Sequence, residues 1–274
     1  MPTSSPLPAA PGPDDFRALA RSAPWRFGTL HFTHQEARPL GQGPVEAWLR
    51  RPGHLEVLAG GERQVETGVP YSRSVLYLEE SRVGLRRLLP GPLRRRRRWP
   101  AEPGLAPRGE PGNPPIRPPQ EFEPRRRPDG LVLERPPEAD YDDPMWGNYR
   151  WVAMLDPVEL SHGVEVSEVQ ARERFGRLTW TATVRALPES AGDAGDGYDP
   201  RCSCCPLLFG AVSQQLEFAG GAHAPGEAEA AGYPSAYWVS LDVETGIVVD
   251  VEPQDGDHPE RAFTNEIHAV GSLG

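Results

Sequence analysis

From residue 27 onward apolar and polar residues alternate with a period of two over long stretches, the pattern of strands that bury one face and leave the other in water. It predicts strands at 27–34 (FGTLHFTH), 45–51 (VEAWLRR), 54–59 (HLEVLA), 62–67 (ERQVET) and 74–79 (SVLYLE). Their short connections include RPG and AGG, punctuation of the hairpin type. VEVSEVQARERFGRLTWTATVRAL, 164–187, reads as a hairpin turned at Gly176, with Leu178, Trp180, Ala182, Val184 and Ala186 alternating with polar residues in its second arm. A second hairpin is expected over 236–253, turned at Glu244-Thr245-Gly246, and RAFTNEIHAV (261–270) as a closing strand. Two segments break the period. DDFRALARSA (14–23) suits a short helix capped by Asp14 or Asp15, and DPVELS (156–161) suits one helical turn, with Asp156 as cap and Pro157 at the first helical position.

Between 90 and 144 the texture changes: fifteen prolines and the runs RRRRR (94–98) and RRR (125–127) predict a disordered Pro/Arg-rich insert. Residues 86–127 hold twelve arginines against four acidic residues. The net charge of the chain is nevertheless −10, so the body carries about −18, a balance that disfavours a general nucleic-acid binder. The expected organisation is a disordered 1–12, one discontinuous β domain over 13–89 and 145–271, and the insert between its halves. All 29 basic residues are arginine, as a GC-rich genome would favour. MPTSSPLPAAPGPDDF has neither a basic n-region nor an apolar run, and no stretch approaches the roughly 18 apolar residues of a membrane span. Together these predict a cytoplasmic protein with no transmembrane segment.

The order of short helix, antiparallel strands with AWLRRPG, the LDPVELS turn, a long hairpin with a Gly-Arg turn and the late SLDVETGIVVDVE hairpin resembles the bacterial lipoprotein-carrier and sigma-factor-regulator superfamily (LolA/RseB-like), as a distant member of actinobacterial type. The resemblance covers roughly 25–90 and 148–270. It implies a mainly β fold: a strongly curved antiparallel sheet, or half-barrel, with one or two short helices closing over an apolar cavity.

No H-E-x-x-H, G-x-S-x-G, Walker or G-x-G-x-x-G motif organises the histidines and acids, so no catalytic residue is assigned, no enzyme is expected and no cofactor is assigned. The expected function is non-catalytic binding of a lipid-like or other hydrophobic molecule on the concave face. Leu30, Phe32, Leu55, Val57, Leu178, Trp180, Val184, Tyr237, Val239 and Leu241 are the candidate lining. An alternative is a regulatory or structural module that docks a protein partner through the insert. A further alternative rests on RCSCCPLLFG, 201–210, which concentrates all three cysteines of the chain. Cys202, Cys204 and Cys205, with His223 as a fourth ligand, have spacing for a metal. The C-x-x-C pair could equally be redox-active, and packing as small apolar residues is the third reading of the cluster. Oligomeric state is not encoded in any of these features.

Overall fold

The computed structural model describes residues 6–37, 43–68, 119–136, 141–188, 197–218 and 231–272. The alternation builds one sheet of nine strands: β1 (Thr29–Glu36), β2 (Val45–Arg50), β3 (His54–Ala59), β4 (Glu62–Thr67), β7 (Val164–Arg174), β8 (Arg177–Ala186), β9 (Tyr237–Asp242), β10 (Val248–Pro253) and β11 (Phe263–Gly271). All pairings are antiparallel, in the order β4-β3-β2-β1-β11-β10-β9-β8-β7. The sheet is open, with β4 and β7 at its edges. The strand expected at 74–79 and the insert residues 90–118 and 137–140 lie outside the described residues.

One face carries the core. Leu30 and Phe32 of β1, Ala47 and Leu49 of β2, Leu55 and Val57 of β3, Trp180, Ala182 and Val184 of β8, Val239 and Leu241 of β9 and Phe263 of β11 are all buried. Two helices cover them: α1 (Pro13–Ser22), through Phe16, Leu19 and Ala20, and α2 (Arg150–Leu155), through Trp151, Met154 and Leu155. Each large side chain removed from water here contributes about 1.5–3 kcal/mol. The opposite face presents His31, Thr33, Glu46, Glu56 and Thr181, the polar side of a sheet covered on one face only.

Local chemistry sets the ends. Phe175 (φ 50°) and Gly176 (φ 71°) both take positive φ between β7 and β8, the requirement of a two-residue hairpin turn whose twist matches its strands. In the next hairpin Gly246 (φ 76°) places an added Cβ 2.9 Å from the Leu19 carbonyl oxygen, so only glycine lets this turn lie against α1. At the start of α1 neither aspartate is the cap. Gly12 holds that position, and Asp15 reaches back to accept its N–H at 2.8 Å.

Part of the segment expected as insert is among the described residues. Residues 119–136 form a 3-10 turn (Pro119–Glu121) and a small hairpin of β5 (Arg125–Arg126) and β6 (Val132–Glu134). They strap onto α1 and the 3-10 turn that follows it (Ala23–Trp25) by specific bonds: Trp25 Nε1 donates to the Pro119 carbonyl at 2.8 Å, Val132 N to Ser22 Oγ at 2.7 Å, and Arg127 pairs with Asp15. Residues 141–144 are buried, and Asp143 pairs with the fully buried Arg51 at 2.7 Å. Arg135, which a composition rule assigns to solvent, pairs here with the buried Asp156.

Candidate functional site

Every chemically reactive side chain of the cysteine cluster stands on one loop, and one buried carboxylate closes that loop at its base. Glu159 lies in the 3-10 turn Val158–Leu160. Its Oε2 accepts the Arg201 N–H at 3.0 Å and its Oε1 accepts the Leu207 N–H at 2.9 Å, so residues 202–206 form an arch clipped at both feet. Tyr198 adds its hydroxyl to the same carboxylate and accepts the Leu208 N–H at 3.2 Å. Burial pushes the Glu159 carboxyl above the usual carboxylate range, against the pull of these donors, and burial with the adjacent Glu159 charge pushes the Tyr198 phenol well up.

The Arg201 side chain fixes the first foot a second time. Its guanidinium pairs with Asp142 and Asp156 and also donates to the Asp156 carbonyl at 3.2 and 3.3 Å. Asp156 receives Arg135 as well, through both carboxylate oxygens. The Asp156 side chain therefore caps no helix: it is the buried anion joining the strap at 135 to the loop at 201. Fully buried, it would titrate high, but Arg135 and Arg201 hold it below the ordinary carboxylate value.

On this base the three sulfurs converge. Cys202, Cys204 and Cys205 place their Sγ atoms within 4.8 Å of one another, with Cys202 to Cys204 at 2.8 Å and Cys204 to Cys205 at 3.7 Å. Cys204 is exposed and its two neighbours are half-buried. The Cys204 and Cys205 thiols hydrogen-bond to Cys202 and pull it far below the usual thiol range; the same sharing pushes Cys204 up to about 11 and Cys205 higher still. Glu217, at the end of α3 (Ala211–Glu217), accepts a hydrogen bond from Ser203 Oγ and adds to the upward pressure on Cys204. His223 lies outside the described residues.

The candidate lining of the inner face is brought together with one exception. Leu30, Phe32, Leu55, Val57, Trp180, Val184, Tyr237, Val239 and Leu241 belong to one core cluster, each at most 2% exposed. Leu178 does not: it is 55% exposed, because β8 carries its alternation past the last covered turn of the sheet. The strand is also less one-sided than its pattern, since Thr179 and Thr183 are buried, bonded to the Arg172 carbonyl and to Glu168 and Gln254. Two surface hollows of about 360 and 340 Å3 lie elsewhere, one bordered by Arg174, Asp250 and Glu252 and the other by His31, Trp48 and Glu56. No helix among the described residues is long and apolar enough to cross a membrane.

Sequence reasoning found the cysteines and missed what positions them. Glu159 and Arg201 flank apolar or cysteine-rich runs in VELS and DPRC, and isolated charges beside such runs were the available signal. Comparison with protein-family models, with curated proteins and with solved structures returns no match.

Proposed function

We propose that this protein binds a soft metal ion of the zinc class through the thiolates of Cys202, Cys204 and Cys205. The observation that carries the reading is the convergence of three sulfurs within 4.8 Å on an arch fastened to a buried carboxylate. Tetrahedral ligands at a Zn–S distance of about 2.3 Å lie about 3.8 Å apart. Cys204 and Cys205 are at 3.7 Å, and Cys202 and Cys204, at 2.8 Å, would separate by about 1 Å to complete that spacing. Three thiolates in so small a volume repel one another, and a bound cation removes that penalty while releasing their protons. The Glu217 charge acts in the same direction, opposing free thiolates and favouring a cation beside them. With three protein sulfurs the fourth position is left for solvent or an exchanging partner.

In this reading the sheet, wrapped on α1 and α2 as half of a barrel, is the scaffold, and the 201–207 loop is the working part. A lipid-like ligand on the inner face would have to open space among side chains already packed against the helices. Titration of the reduced protein with Co2+ tests the metal reading. One equivalent should produce sulfur-to-cobalt charge-transfer absorption that Zn2+ bleaches and that the C202S/C204S/C205S variant lacks. Cobalt spectra without a sulfur band would overturn it.

A further inference from the structure

Within the thiol arch the three sulfurs are not equivalent. Cys202 and Cys204 stand closest, with their Sγ atoms 2.8 Å apart. That separation lies between two end points, about 2.05 Å in a disulfide and about 3.8 Å between thiolates that share a tetrahedral zinc. The pair has to close by about 0.8 Å to reach the first and open by about 1 Å to reach the second. Both movements are small, and they run in opposite directions. A disulfide sulfur also carries no thiolate charge with which to hold a cation. Bridge and metal therefore exclude one another at this pair.

The other pairings are worse placed. Cys204 and Cys205 are adjacent, and a bridge between them closes a ring so small that their peptide bond must distort; their sulfurs are also farther apart, at 3.7 Å. Cys202 and Cys204 have Ser203 between them, and its Oγ donates to Glu217, which ties the middle residue of the turn to α3. Glu159 holds the two feet of the arch, so the loop-closure entropy of bringing the pair together is met by the fold. All three cysteines are free thiols, Cys204 exposed and Cys202 half-buried. A small solute reaches the pair from solvent.

We propose that a hydroperoxide oxidises Cys202 and Cys204 to a disulfide and so empties the metal site, a regulation that rests on the metal reading given above. The thiolate of one cysteine attacks the terminal peroxide oxygen. An S–O bond forms, the O–O bond breaks, and the departing alkoxide takes up a proton and leaves as an alcohol, or as water from hydrogen peroxide. Whichever sulfur reacts first, the second stands 2.8 Å from it and attacks the sulfenic acid. An S–S bond forms, the S–O bond breaks, and hydroxide leaves as water with the second thiol's proton. Two electrons pass from the pair to the peroxide. Cys205 is then the one thiolate left in the arch, too few for an ion that takes four ligands. In the other direction, a bound ion occupies the sulfur electron pairs that attack the peroxide and slows the reaction. A dithiol reverses the bridge by exchange and restores the site.

The test treats the full chain, reduced and metal-free, with hydrogen peroxide and reads intact mass under non-reducing conditions beside a free-thiol count. The monomer should lose two hydrogens and fall from three free thiols to one, and dithiothreitol should restore both. C205S keeps the pair and should form the same bridge, whereas C202S and C204S should gain oxygen instead. Zn2+ at about ten times its Kd should slow bridge formation about tenfold, because only the metal-free fraction reacts. Three results would overturn the proposal: oxygen adducts without loss of two hydrogens in the unaltered protein, an intramolecular bridge that persists in C202S or C204S, or equal rates with and without zinc in protein that shows the sulfur-to-cobalt band. Absence of that band in the reduced protein overturns the metal reading instead, and the emptying step with it, while the mass of the oxidised metal-free protein still decides the bridge.

Discussion

Replacing Glu159 by glutamine exchanges one oxygen for an NH2 group of nearly the same volume, so its effect reports hydrogen bonding without creating a cavity. In the native loop Oε1 accepts from Tyr198 and Leu207 and Oε2 accepts from Arg201. A glutamine has one acceptor atom at its tip. With its oxygen toward Leu207 it turns an amide donor against the Arg201 N–H; flipped, it turns that donor against the Leu207 N–H. Either way one backbone N–H and one side-chain NH2 lose their partners inside a group only 2% exposed. At about 1–3 kcal/mol for each buried unsatisfied donor, partly relieved by rotation of the Tyr198 hydroxyl, E159Q should cost about 2–4 kcal/mol. Urea unfolding at pH 8, followed by tryptophan fluorescence, measures this as a lowered midpoint at unchanged slope. The same variant should bind Co2+ more weakly than the unaltered protein, because one foot of the arch is released. A stability loss under about 0.5 kcal/mol, within the range of an ordinary surface change, would refute the argument that Glu159 clips the loop.

Four further outcomes are expected. R201M should destabilise by about 3 kcal/mol in the same assay, the low end for breaking a buried ion pair, since Asp156 keeps Arg135. Asp156 is lowered in the folded state, so its contribution is complete above the unfolded value of about 4 and is lost as pH falls below it; an acid titration of stability should steepen there, and D156N should flatten that limb. Iodoacetamide at pH 6 should modify one cysteine of the metal-free protein far faster than an ordinary thiol, which is under about 1% ionised at that pH; C202S should abolish the fast phase by mass spectrometry. Leu178→Ser should change stability by less than about 0.5 kcal/mol, whereas Trp180→Ala, two residues along the same strand, should cost about 3–5 kcal/mol.

Strand periodicity transmitted much of this fold. β2, β3 and β4 fall where the alternation of 45–51, 54–59 and 62–67 puts them, and Gly176 and Gly246 mark the turns they were expected to mark. Periodicity carries no information on which strands meet: β1 lies beside β11, more than two hundred residues away, and nothing local specifies that neighbour. It also does not reveal where cover ends, which is why Leu178 reads as core and stands in water. α3 was missed because AVSQQLE is a short helix with little periodicity. The strap at 119–136 was missed for a different reason. Composition predicts the average solvation of Pro/Arg-rich chain, whereas Arg127 is held by Asp15 and Asp129 and Arg135 by the buried Asp156. Three cysteines in four positions announced a candidate site, but their convergence depends on Glu159 and Arg201, whose burial is set by tertiary contacts alone.

The central claim is that the three thiols act together as one metal-binding unit, and the mass of the folded protein tests it most directly. Native mass spectrometry of reduced protein equilibrated with one equivalent of Zn2+ should show a single zinc adduct accompanied by loss of protons from the cluster, and no adduct in C202S/C204S/C205S. An unaltered protein that stays metal-free, or a zinc adduct that survives the triple substitution, would contradict it.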